Sequence, residues 1–270
     1  MPTSSTATRR RRKRDLKNMA IEVGVIVAGV GLALFGEYAI SEWNWSKRVD
    51  RAEKELRAEA SILTYNLVEA IIIKPCVAAQ IDALEAHLLD SSKNNEAYPY
   101  PEIETVGGKS VIRKSSRSWP EDAWLAALND GTAARMDETL RNRTALYYQQ
   151  IKRIRENRVE VDSLGAQINI AAQPITRTPQ TTQDLLIKLG EFRYLRDFNA
   201  LSAEQILSTL RDLDRLPDDD FLERFVNNKT SGTLTYCQDT NLPLNLPQDG
   251  WADWPEKLDA PAAGRVFELN

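Results

Sequence analysis

The chain has 270 residues, with 35 Lys and Arg against 39 Asp and Glu, a single histidine and two cysteines. Seven of the cations and three of the acids fall in residues 1–40, so the remainder carries 28 Lys and Arg against 36 Asp and Glu, a net charge of −8. That remainder is long enough for one buried core, and its acidity argues against nucleic acid as a partner, because a phosphate-binding surface needs a local excess of cations.

The chain opens on a basic tail in which Arg9, Arg10, Arg11, Arg12, Lys13, Arg14 and Lys17 stand close together. An apolar segment from Ile21 to Ile40 follows, uncharged from Val23 to Gly36. Its length matches the ~20 residues that a helix needs to cross a hydrocarbon core. Only Lys47, Arg48 and Arg51 follow it closely. By the positive-inside bias the tail is therefore expected in the cytoplasm, with Trp43 and Trp45 as an interfacial anchor. Clustered cations beside a span also favour anionic lipid headgroups, by roughly 1 kcal/mol each. A cleaved signal peptide is the alternative, with Ala39 and Ser41 as its best small pair. Two ridges of small residues, Ala20, Gly24 and Ala28, then Gly29 and Ala33, allow close helix approach, and Glu22 and Glu37 near the ends can hydrogen-bond across a pair. They are the candidate site of self-association as a homodimer.

No proline or glycine occurs between Gly36 and Pro75. One helix is thus expected from about Ala20 to Lys74, roughly 80 Å long at 1.5 Å per residue. Val49, Ala52, Leu56, Leu63 and Ala70 give it an apolar stripe, widened by Ile62 and Leu67, which other helices or a second copy must cover. Pro75 ends or kinks it. A second helix is expected over Cys76–Leu89, then a polar loop over 91–118 with an extended pair near the run ETVGGKSVI.

Ser118 stands where an N-cap belongs before Pro120, Glu121 and Asp122, which predicts a short helix that Asp130 and Gly131 end. A longer helix is read from Thr132 to about Val161, another from Gln183 to Asn199, and a third opened by a capping box of Ser202 and Gln205. Pro217 stops it, apart from a turn near Phe221 to Phe225. The segment from Gln238 onward, with four prolines and two tryptophans, reads as irregular. The organisation is then a basic cytoplasmic tail (1–18), a transmembrane helix (19–42), a periplasmic helical domain (43–237) and an irregular tail (238–270). The fold class is all-α, one transmembrane helix continuous with a long first helix of an extracytoplasmic up-and-down helical bundle.

Cys76 and Cys237 belong to no close-spaced metal pattern. In an oxidising compartment a bridge between them is permitted and would stabilise the fold by about 5 kcal/mol in the chain-entropy model; two buried free thiols are the alternative. His87 has only Asp90 as a ligand type at helical spacing, so neither a metal site nor a His-dependent nucleophile is indicated, and no cofactor motif is present. Arg153, Arg155 and Arg158 lie on a helix with Tyr147 and Tyr148. They are a candidate face for an anionic ligand, against the plainer reading of a solvated face paired with the domain's acids.

The residues Glu22, Val25, Gly29, Val30, Ala33 and Leu34, then Trp43, Trp45 and the run RAEKELRAE, resemble the start of a broad group of uncharacterised proteobacterial single-span proteins. The segment KPCVAAQIDALE is similar to a Pro-Cys-x-x-x-(Gln/Arg)-(Ile/Leu)-Asp pattern of that group. The resemblance covers residues 20 to 90. It implies an inner-membrane protein with a periplasmic helical domain and carries over no catalytic residue. The expected function is a non-catalytic module of the bacterial envelope that binds a ligand or an envelope protein. A structural tether or assembly factor is the alternative, and an envelope enzyme with an unrecognised site the third reading. A buried polar cavity between the helices favours a ligand, whereas a packed core with an exposed apolar patch favours a protein partner.

Overall fold

In a computed structural model the chain is predominantly helical, with six α-helices and one two-stranded hairpin among the described residues. Those residues are 5–94, 99–105, 108–115, 117–174, 178–216, 224 and 231–246. Two units divide the chain, Met1–Glu53 and Lys54–Asn270, and α1 (Ser5–Ile72) contributes residues to each.

In the first unit α1 begins earlier than the span alone requires. Its apolar residues are open to solvent: Val25, Leu32 and Phe35 are each more than 60% exposed. It is the one helix among the described residues long and apolar enough to cross a membrane. At its polar end Lys47 Nζ lies 4.2 Å from the centre of the Trp43 ring and the Arg48 guanidinium 5.0 Å from that of Trp45. Such cation–π pairs suit an interface where each ring has an apolar and a wet side.

In the second unit the stripe predicted for α1 is a core face. Leu56, Leu63 and Leu67 are fully buried, whereas Ile62 turns outward. The helix ends at Ile72, and α2 (Lys74–Asn94) starts two residues later, longer at its end than expected. Pro75 cannot donate a backbone hydrogen bond. The chain nevertheless stays hydrogen-bonded through the joint, since Ile73 N donates to Glu69 O and Val77 N to Ile73 O, both at 3.0 Å.

The extended pair near ETVGGKSVI forms as an antiparallel hairpin, β1 (Ile103–Thr105) with β2 (Gly108–Ser110). Helix α3 (Asp122–Asn129) differs from expectation at its start. Its N-cap is Glu121, without a side-chain cap, and not Ser118. The open N–H of Ala123 is instead accepted by Glu59 Oε2 at 3.0 Å, from across the domain. A cap supplied by a distant residue has no local signature. Gly131, at φ +79°, closes this helix in a left-handed conformation that favours glycine.

A short 3-10 turn, Thr132–Arg135, replaces the first turn expected of the next helix. Then α4 runs over Glu138–Ile168, capped by Asp137 accepting from Leu140 N at 3.0 Å. The two helices expected over 183–216 are one, α5 (Pro179–Asp212). Its cap is Thr178, and Ser202 is a buried residue in its middle, so the capping box does not form. No breaker separates Asn199 from Ser202, and Ala200, Ala203 and Ile206 are buried on the same face as Phe192. Burial of a continuous stripe outweighs the local cap signal. Both α2 and α4 pack on α5.

Helix α6 (Gly232–Asp239), which the sequence reading left unassigned, begins with Ser231 accepting from Leu234 N. Residues 242–246 are irregular, and Asn245 N donates to Ile72 O at 2.9 Å. The expected turn near Phe221 to Phe225 and the tail from Pro247 lie outside the described residues, Arg224 excepted.

Candidate functional site: a cationic cleft in an acidic domain

Cys76 in α2 and Cys237 in α6 are joined by a disulfide that links chain segments 161 residues apart. Above it, Gln80 is buried and holds the backbone of Arg113 from both sides. Its Oε1 accepts from Arg113 N at 2.7 Å, and its Nε2 donates to Arg113 O at 3.4 Å. Thr233 at the start of α6 donates to Lys114 O at 3.0 Å. At the end of α4, Asn169 Oδ1 accepts from Val111 N at 3.0 Å and lies 3.1 Å from Ser110 Oγ. Three helices thus fix the irregular segment that leaves the hairpin, and with it a run of cations, Lys109, Arg113, Lys114 and Arg117.

These cations enclose a cleft of about 580 Å³ between the hairpin, α4 and the start of α6. A smaller chamber of about 70 Å³ shares Lys114, Arg117 and Asp162 with it, and adds Arg158 of α4 and Arg196 of α5. Glycines make the approach of the cations possible. A Cβ on Gly232 would lie 2.6 Å from Arg113 Nη2, and one on Gly165 would lie 3.2 Å from Lys114 Nζ.

Six cations line the two chambers, against two carboxylates, Glu69 and Asp162. Glu69, 2% exposed, pairs with Arg117 Nε at 2.6 Å. Asp162 pairs with Lys114 and stands 3.6 Å from Arg158 Nε. Among the described residues the buried Nε of Arg113 and Nη1 of Arg196 have no hydrogen-bond partner. Desolvation of the half-buried Arg196 lowers its pKa to about 10, offset in part by Asp197. Buried donors on charged groups are costly to leave unmet, by about 1–3 kcal/mol or more each. Tyr236 of α6 adds a neighbouring phenol whose pKa is raised by burial and drawn back by Arg113.

Of the predicted face of Arg153, Arg155 and Arg158, Arg155 and Arg158 line one surface pocket with Glu121 and Asp162, whereas Arg153 lies apart. Arg158 donates to Arg117 O and lines the inner chamber. Arg155 pairs with Glu121 ahead of α3, and Arg153 is exposed, about 140° round the helix from Arg158. Tyr147 and Tyr148 of the same helix point into the core. Glu22, Gly24, Ala28, Gly29, Ala33 and Glu37 are exposed along α1, with open space beside both glycines. Ala20 lies within α1. Trp43 is exposed and Trp45 half-buried. His87 packs edge-on against Tyr100, ring centres 5.2 Å apart. Among the described residues no three His, Cys, Asp or Glu side chains converge as a metal set.

Sequence reasoning passed over Lys109, Arg113, Lys114 and Arg117, reading 91–118 as a polar loop. A signal was there: the run GGKSVIRKSSRS holds four cations and no acid in an otherwise acidic domain. Arg196, alone among helix residues far along the chain, gave none. Compared with protein-family models, curated proteins and solved structures, the chain matches none.

Proposed function

We propose that this chain is a single-pass protein of the bacterial inner membrane whose exported helical bundle binds an anionic small molecule without transforming it. The observation that carries the reading is the cleft: six cations face two acids, inside a body with a net charge of −8, and two guanidinium donors wait unpartnered. An anion there would meet those donors with charge-assisted hydrogen bonds. The exposed apolar face of α1 supports the membrane anchor, and the cation asymmetry around it supports a cytoplasmic tail and a periplasmic domain. The resemblance of residues 20 to 90 to proteobacterial single-span proteins agrees with that address.

A protein partner in the envelope, with the chain as tether, is the second reading. It is favoured by Ile187, Tyr194 and Leu201, exposed at seven-residue spacing along α5. Anion binding separates the two. In detergent, the thermal midpoint of the full chain should rise with millimolar phosphate relative to chloride at equal ionic strength. Equal midpoints in the two salts would remove the ligand reading. Protease added to intact spheroplasts should digest the domain; a protected domain would overturn the orientation.

A further inference from the structure

The two chambers differ in size and chemistry, and the difference narrows the ligand. The inner one, about 70 Å³, sets four cations, Lys114, Arg117, Arg158 and Arg196, and Asp162 against an apolar wall of Ile73, Trp119, Ile154 and Val161. That volume is enough for one small headgroup. The outer one, about 580 Å³, lies within the size range of small-molecule sites. Its walls carry the hydroxyls of Thr105, Ser110, Ser118 and Thr233 and the amide of Asn169. Ile112 is the one large apolar side chain among the described lining residues, and no aromatic ring is among them.

Resting on the anion-binding reading above, we infer that the cleft takes a phosphate monoester of a polyol, the class to which hexose phosphates belong. The terminal phosphate occupies the inner chamber against Arg196 Nη1, and the hydroxylated body lies in the outer chamber. Trp119 lines the inner chamber, but no aromatic ring is among the described lining residues of the outer one, where the body of the ligand lies, so a nucleotide base would lack there the stacking worth about 1–3 kcal/mol. With Ile112 as its one large apolar side chain among the described lining residues, the outer chamber offers an acyl chain few packing partners.

The test is calorimetric titration of the full chain in detergent with inorganic phosphate, glucose 6-phosphate, glucose and adenosine monophosphate. Glucose 6-phosphate should bind at least about tenfold more tightly than phosphate, and glucose should give no heat, since the anchoring charge is missing. Adenosine monophosphate should not exceed phosphate. Arg196→Met should weaken glucose 6-phosphate and phosphate together. Ser118→Ala should reduce the advantage of the sugar phosphate and leave phosphate unchanged. Should Arg196→Met fail to fold, Asp162→Asn serves instead, and removing that acid should tighten both phosphates. Phosphate binding without a gain from the sugar overturns the polyol assignment and leaves the anion site standing. Binding of neither phosphate overturns both.

Discussion

Arg113 lies so close over the α-carbon of Gly232 that its Nη2 occupies the space a methyl group there would need, at 2.6 Å. The glycine opens α6, where alanine is the better helix former. Its absence of a side chain is thus explained by the cation beside it and not by the helix.

Gly232→Ala should therefore separate stability from binding. The guanidinium is the far end of a flexible side chain and can move aside, so the thermal midpoint should change little. Phosphate affinity should fall several-fold because Arg113 is displaced from the cleft wall. A variant that binds phosphate like the parent would show that Arg113 is no part of the site.

Reduction of the Cys76–Cys237 disulfide should act on both quantities. Releasing a loop of this length removes about 5 kcal/mol of stability in the chain-entropy model. It also frees α6, which supplies Gly232 and Thr233 to the cleft. The expected result for Cys76→Ser with Cys237→Ser is a lower urea midpoint and weaker phosphate binding. Intact mass before and after thiol alkylation reports the bond itself, and two alkylated thiols in protein taken directly from cells would contradict it.

The buried carboxylate of Glu59 ties three elements together: it accepts from Ala123 N of α3 and from the Tyr148 hydroxyl of α4. Tyr148→Phe leaves one of its oxygens buried without that donor, which should destabilise the fold by about 2 kcal/mol. Combined with Glu59→Gln, the loss should be smaller than the sum of the single losses, as a double-mutant cycle in urea would read. Strict additivity would mean that the pair is not coupled.

The same cluster sets an alkaline limit. Burial raises the Tyr147 pKa to about 12, opposed by Tyr148 and Arg215 and reinforced by Glu59. Tyr148 is raised further, first by burial and then by Tyr147 and Glu59. Above about pH 10 the unfolded chain releases phenolic protons that the folded state retains, so stability is fully present below that pH and falls as pH rises through it. The fall in urea midpoint between about pH 9 and about pH 11.5 should be shallower in Tyr148→Phe than in the parent. Parallel profiles would exclude these phenols as the cause.

Helical periodicity, prolines and the Asp130–Gly131 stop were enough to read the helical character of the chain and its long apolar first helix. The errors lie where a distant residue replaced a local signal. Glu59 caps α3, and so Ser118 does not; a continuous buried stripe through Ala200 and Ala203 carries α5 past the capping box at Ser202. The cleft was half legible. Arg158 is legible on one side of the helix with Arg155, but Arg153 points elsewhere, and helical angle alone could not say which cation met Arg117. The remaining cations come from the hairpin segment and from α5, which tertiary packing alone brings to Arg158.

The measurement that bears most directly on the account is an anomalous difference map from crystals of the full chain soaked in sodium tungstate. The cleft should hold an oxyanion within hydrogen-bond distance of Arg196 and Lys114, as the highest peak on the domain. Peaks confined to other surfaces, with the cleft empty at saturating tungstate, would contradict the assignment of this protein as an anion-binding module.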